Sequence, residues 1–244
     1  MNIKKVYFTA LRVLQQLSHD PRTLALVLLM PAILLTILKF VFEKSPSTFD
    51  SIAPMSLGIF PIIMMFVITS ISTVRERTIG TLDRLMTYPI SKLDFIFGYA
   101  LAFSILALVQ ASIASFVILV LLNVSVAGGT VSLLIAAVIA ALLGTSLGLF
   151  MSAFATTEFQ AVQFMPAIIL PQLLTCGLFV ARDQMAQGLQ WFANIMPLTY
   201  SVDAMKQVTN HNTWTHTLSK DLIIVACYAV ILLILGAITI KRQE

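Results

Sequence analysis

Residues able to do chemistry are scarce in this chain, and their densest group lies between two long apolar stretches. Arg75–Asp94 holds Arg75, Arg77, Arg84 and Lys92 with Glu76, Asp83 and Asp94, in a protein where 11% of residues are charged. Charge and turn residues set between hydrocarbon-length segments suit a contact surface at a membrane boundary. The remaining polar chemistry is thin. His211 and His216 flank Trp214 but lack companion carboxylates at ligand spacing, and Cys176 and Cys227 lie inside apolar runs as small hydrophobes. No apolar run carries a Ser with a His, or paired carboxylates, so intramembrane proteolysis is not expected. The sequence contains no Gly-x-x-x-x-Gly-Lys-Ser/Thr phosphate loop. This chain is therefore expected to hold no cofactor or metal and to hydrolyse no ATP by that device.

Deep in the apolar runs stand only amides and hydroxyls: Gln110, Ser112, Ser115, Gln163, Gln172 and Thr175. A proton- or sodium-coupled carrier usually needs ionisable groups near the bilayer midplane. A transport pathway without them needs an outside energy source, which points to a partner protein.

The elements that must position these groups follow from composition. Of 244 residues 59% are hydrophobic, and mean hydropathy is +0.95. Too few polar residues remain to cover a soluble surface. Apolar runs of about 20 residues recur, each able to cross about 30 Å of hydrocarbon. The expected fold is an all-α polytopic membrane protein, a single domain over residues 1–244. Six spans are expected: Thr23–Phe42, Ile52–Val74, Leu93–Leu122, Val131–Phe154, Phe159–Val180 and Asp221–Ile240. No cleavable leader is expected, since the first apolar run begins only at Thr23.

The net charge of +4 reads as a topology signal, with no nucleic-acid partner implied. Lys4, Lys5, Arg12, Arg22, Arg75, Arg77, Arg84, Lys92, Lys241 and Arg242 fall on one side of the six spans. Lys44, Arg182, Lys206 and Lys220 fall on the other, while Lys39 sits near one end of the first span and can snorkel. The positive-inside rule puts both termini and the Arg75–Asp94 loop in the cytoplasm.

Four further elements are expected. Ile3–Leu17 reads as an amphipathic helix along the cytoplasmic interface. Its apolar face is Ile3, Val6/Tyr7, Ala10/Leu11, Leu14 and Leu17, with Lys5, Thr9, Arg12 and Gln16 opposite. Asp20-Pro21 then caps the first span. The fourth span carries small residues at spacing four, Ala136, Ala140, Gly144, Gly148 and Ser152, suited to close helix contact within one subunit or against a second. Residues 181–220 are too apolar for a solvated loop. They predict an outer hairpin of two short helices split by Pro197, with Trp191, Tyr200 and Trp214 near headgroup level. In the charged loop, Gly80 permits a sharp break, Thr81–Thr87 can form a short helix ended by Tyr88-Pro89, and Ser91 with Asp94 predicts a capping box.

The run Arg75-Glu76-Arg77-Thr78-Ile79-Gly80-Thr81-Leu82-Asp83-Arg84-Leu85-Met86-Thr87-Tyr88-Pro89-Ile90 resembles the cytoplasmic loop of type-2 ABC exporter permeases. Pro171–Phe179 and Trp191–Ala204, with Trp191, Asn194, Pro197 and Tyr200, are similar to the same family's signature around the fifth span and outer hairpin. The resemblance covers essentially the whole chain. It implies a half-size permease of a bacterial cell membrane, paired with a second copy or a close paralogue. Each copy would dock a separate ABC ATPase subunit that binds ATP-Mg. Gly80–Thr87 would be the coupling helix, with Gly80, Thr81, Leu82, Asp83, Arg84, Leu85 and Pro89 as its contact set. Glu76 would join the second span to the interfacial helix. The chain departs from the family pattern at Val180-Ala181 and Ala186, where prolines are common, and at Lys206, where Arg is common.

The function expected is ATP-driven export of an amphipathic cargo such as a drug, antibiotic, peptide or lipid-like molecule. Phe60, Met64, Phe66, Gln110, Gln163, Phe164 and Gln172 are the candidate path residues, because aromatic and Met side chains make adaptable apolar walls. Each could equally face lipid or a neighbouring helix. Polysaccharide or sodium export, an ion-coupled carrier and a non-transporting membrane scaffold remain the alternatives.

Overall fold

The computed structural model describes residues 3–80 and 91–239. Among them the regular structure is helical: α1 (Ile3–Ser18), α2 (Pro21–Val41), α3 (Pro46–Leu57), α4 (Phe60–Thr78), α5 (Lys92–Phe116), α6 (Gly129–Ser152), α7 (Glu158–Thr175), α8 (Gln187–Ile195), α9 (Pro197–Asn210) and α10 (His216–Thr239). α6 is the axis of the bundle, packed by α4, α5 and α10. Small side chains explain its position. A Cβ on Gly148 would lie 2.6 Å from the Phe66 carbonyl oxygen, and one on Gly144 would collide with the Ile62 backbone. The ridge thus brings α6 against α4 of the same chain at backbone distance, as small residues permit in lipid.

The bundle is lined outside with hydrocarbon. Leu26, Leu29, Ile33, Ile37 and Phe40 of α2 are exposed, as are Ile223, Val230, Ile231, Ile234 and Ile238 of α10. Exposed aliphatic rows on helices this long belong in lipid. This is an all-α, multi-pass membrane protein.

Among the described residues five segments are long and apolar enough to cross: Pro21–Val41, Pro46–Thr78, Leu93–Leu121, Gly129–Ser152 and His216–Thr239. The expected second span, Ile52–Val74, is two helices. Pro61 lacks an N–H and crowds the carbonyl of Leu57, so the chain restarts at Phe60. The break is held from outside, where Ser201 Oγ donates to the Gly58 carbonyl at 3.0 Å. The expected fifth span, Phe159–Val180, is shorter than expected. α7 has 18 residues, contains Pro166 and Pro171, and stops at Cys176, where Gly177 adopts φ +85°. A left-handed glycine ends a helix at little steric cost. At about 1.5 Å per residue α7 falls just short of a full hydrocarbon crossing, and Gln160, Gln163 and Gln172 make it more polar than the others. The last helix begins at His216, ahead of the expected Asp221.

α1 also differs from expectation. Thr9, placed on the polar face, is buried with Ala10 and Val13, while Ile3 and Tyr7 are exposed. The reason is Gly98 of α5. Its missing side chain leaves a notch occupied by the Thr9 methyl and by the Val6 carbonyl. The helix rotates to fill that notch, so its contact face is set by α5 and not by periodicity alone. Asp20 caps α2 as its sequence predicts, accepting from the Thr23 N–H at 3.2 Å, with Pro21 in the first turn. The Thr23 hydroxyl and N–H hold the Asp20 carboxyl below its ordinary range. Lys39 does more than snorkel. Its ammonium lies 4.7 Å from the Phe49 ring centre and donates to the Leu122 carbonyl, just past a π turn (Val117–Leu121) that continues α5.

Candidate functional site

α4 runs between two polar ends, and its last turn carries Arg75, Glu76 and Arg77. Successive helix residues point about 100° apart, so three consecutive charges reach three different neighbours. Glu76 reaches α1. Its Oε2 lies 3.3 Å from Arg12 Nη1, and its Oε1 accepts from Gln16 Nε2 at 2.8 Å. Arg12 and Gln16 are one turn apart on the same face of α1. Arg12 Nη2 also donates to the Tyr99 hydroxyl of α5 at 2.8 Å. Tyr99 is buried in an aromatic row with Phe95 and Phe103.

Arg77 points to the end of α6. It donates to the carbonyls of Ser152 (2.8 Å), Ala153 (3.5 Å) and Ala155. Helix ends leave carbonyls unpaired and carry partial negative charge, and a guanidinium satisfies both. Arg75 lies 3.7 Å from Glu158 in the first turn of α7, both well exposed. One turn of α4 is therefore tied to α1, α5, α6 and α7. A cavity of about 470 Å³ opens among these groups, lined by Gln16, Leu17, Asp20, Ile68, Ser72, Arg75, Glu76, Tyr99 and Glu158. α4 then ends at Ile79, and Gly80 takes φ +77°. That left-handed turn sends the chain toward Thr81. Across the loop, Ser91 and Asp94 form the capping box that opens α5, each side chain bonded to the other's backbone N–H at 3.1 Å.

The opposite end carries the helical hairpin, α8 and α9, split at Pro197 as the sequence predicts. Many of its links are to backbone. The Tyr200 hydroxyl donates to the Asn194 carbonyl at 2.6 Å, and the Tyr228 hydroxyl of α10 donates to the Ile195 carbonyl at 2.6 Å. Lys206 Nζ donates to the Gly177 carbonyl at 2.8 Å. Asp203 accepts from Arg182 and lies 3.9 Å from Lys206. Burial pushes the Asp203 carboxyl up, and the two cations partly offset that. Trp191 is exposed. A second cavity, about 390 Å³, opens beneath this hairpin.

Comparison with known proteins agrees with this layout. The ABC-2 type transporter family model matches residues 5–209, from α1 through most of α9. The chain belongs to the ABC-2 type transporter family. Among its relatives, ABC transporter G family member 20 of Dictyostelium discoideum is 26% identical over 86% of this chain. The protein named "Probable multidrug ABC transporter permease YbhR" of Escherichia coli K12 is 27% identical over 64% of it. The matched stretches are 29% and 43% of those two proteins, so the chain spans under half the length of either.

Within this ABC-2 fold, the structure scatters the residues the sequence offered as a path. Phe66 is fully buried at the α4–α6 seam and shares one apolar cluster with the half-buried Phe60 and Phe164. Gln172 lies at the hairpin side, where its Oε1 accepts from the Leu198 N–H at 3.3 Å. Gln110 is elsewhere, fully buried and donating to the Val27 carbonyl at 2.5 Å, which joins α5 to α2. Met64 is half-buried and Gln163 exposed. Ser152 supplies the carbonyl that Arg77 grips. Thr81, Leu82, Asp83, Arg84, Leu85 and Pro89 lie outside the described residues. Sequence reasoning missed Arg77, Tyr99 and Asp203 as organising groups. Only Tyr99 left a trace, as the middle of an i, i+4 aromatic row beside Gly98.

Proposed function

We propose that this chain is the membrane-spanning subunit of an ATP-driven ABC exporter and forms the pathway for an amphipathic cargo. In this reading two copies, or this chain and a close paralogue, pair in a bacterial cell membrane with both termini cytoplasmic. A separate ABC ATPase, carrying ATP-Mg, docks on each copy at Gly80–Thr87. The chain itself performs no hydrolysis. The relative named as a multidrug permease, and the aromatic cluster of Phe60, Phe66 and Phe164, support an amphipathic cargo.

The observation that carries the reading is the knot at the end of α4. Glu76, Arg77 and Arg75, three to five residues before Gly80, fasten that turn to α1, α6 and α7 and, through Arg12, to α5. Force applied just beyond Gly80 would therefore move α1, α5, α6 and α7 together, as a coupling device requires. Because packed helices shift between discrete arrangements, such a push can open one end of a bundle.

The test is to co-express Asp83→Arg and Leu82→Asp with an ABC ATPase that co-purifies with the unmodified chain. Both variants are expected to insert and keep their thermal stability, while ATPase co-purification and cargo export fall at least tenfold. Unchanged co-purification together with unchanged export in both variants would defeat the coupling assignment.

A further inference from the structure

The cavity under the hairpin contains a group left unpartnered among the described residues. Asp221, one turn into α10, is 6% exposed, lines that cavity, and its Oδ2 has no hydrogen-bond partner among the described residues. A carboxylate taken out of water without a partner is costly. Its acidic neighbour offers no relief, since Asp203 is already engaged by Arg182 and Lys206. Lys220 stands exposed at the rim with no ion pair among the described residues. The cavity thus presents one unpaired buried carboxylate, while Arg182, Lys206 and Lys220 outnumber Asp203 and Asp221.

Those charges select a ligand class. A bare anion would leave Asp221 unsatisfied, and a bare cation would add to a positive excess. A divalent metal needs several oxygen or imidazole ligands, and no three His, Cys, Asp or Glu residues gather among the described residues. A zwitterion satisfies both demands, with an N–H-bearing ammonium at Asp221 and an acidic oxygen group toward Lys220. At about 390 Å³ the cavity is at the small end of ligand pockets. Tyr200 and Asn194 line it, and Trp191 on α8 and Trp214 just ahead of α10 are exposed, the residue type that favours headgroup regions.

We propose that this cavity binds a zwitterionic aminophosphate group of the phosphoethanolamine type, with Asp221 as the counter-ion of its ammonium. The group could arrive on a membrane lipid or on a soluble or transported molecule. The proposal concerns binding and stands apart from the export reading.

Wild type and Asp221→Asn would be melted in detergent with phosphorylethanolamine or phosphorylcholine, which differ only in three N-methyl groups. The expected result is a saturable rise in wild-type Tm of about 2 °C or more with phosphorylethanolamine. Phosphorylcholine should give little, the Asp221→Asn variant should lose the shift, and Lys220→Gln should need a higher concentration. Nanodiscs then identify the source. If phosphatidylethanolamine discs raise Tm above phosphatidylcholine discs and added phosphorylethanolamine adds nothing, a lipid headgroup is the occupant. If the two discs match and the soluble compound still acts in both, the occupant is a free or carried zwitterion. No shift in any arm, as when Asp221 simply carries a proton, overturns the proposal. So does an equal shift with phosphorylcholine or in Asp221→Asn. Should the variant fail to fold, the two compounds on wild type still decide.

Discussion

The two ends of α4 treat charge in opposite ways. At the Gly80 end, Arg12, Glu76, Arg77 and Glu158 each have a partner on another helix, and those partners belong to four different elements. At the hairpin end, ties run largely to backbone carbonyls, and Asp221 Oδ2 has no hydrogen-bond partner among the described residues. A network of side chains shared among helices makes one end a block that moves as a unit. The hairpin, held by single bonds to α10, to the end of α7 and to the Gly58 break, covers an open cavity and leaves a carboxylate there able to take a partner. The lesson is that charged groups in this bundle are divided by end, with apolar and small-residue packing between.

The largest expected effect tests whether the ends are joined at all. Gly144→Leu forces a side chain into the Ile62 backbone, and overpacking a close seam costs about 3 kcal/mol or more. Loss of folded protein in detergent, followed by size-exclusion chromatography and Tm, is the expected result. An unchanged Tm would mean that α4 and α6 are not one body. Next, Arg77→Ala strands the Ser152 and Ala155 carbonyls and should cost about 2–3 kcal/mol, since bonds to charged donors are the strong ones. Arg77→Lys should recover part of it. Equal stability of Arg77→Ala and wild type would remove α6 from the block.

Glu76→Gln keeps a link to Gln16 but leaves Arg12 without a carboxylate. A partly buried pair of this kind is worth about 1–2 kcal/mol, read as a drop in Tm. The smallest effect should carry the opposite sign. Without added ligand, Asp221→Asn removes an unpaired charge, so Tm should stay level or rise by a degree or two. If Glu76→Gln and Asp221→Asn lower Tm equally, the contrast between the ends fails.

Much of the architecture was legible before any coordinates. Apolar run length, the Asp20-Pro21 cap, the Ser91–Asp94 box and the Pro197 split are local signals, each acting within a few residues. The exceptions have local causes that were present but outweighed by hydropathy: Pro61 divides the second span, and Gly177 shortens the fifth. The site was less legible. Seven apolar and amide residues could be named as path candidates, yet Gln110 proves to be a strut between α5 and α2, and Phe66 a core residue. Which way a side chain points on an all-apolar helix leaves no periodic trace, because every face is hydrophobic.

By itself the sequence determined that the chain would fold as lipid-embedded helices, where most of those helices start, and that α6 could approach a neighbour closely. Hydropathy, proline, glycine and capping chemistry act along the chain and need no partner to be read. Tertiary structure alone decided that the neighbour was α4, that Gly98 would turn α1 to bury Thr9, and that Arg77 would cap α6. It alone left Asp221 facing an open cavity while Asp203 found two cations. Those outcomes join residues far apart in the chain, and electrostatic pairing depends on distance in space, which spacing in sequence does not record.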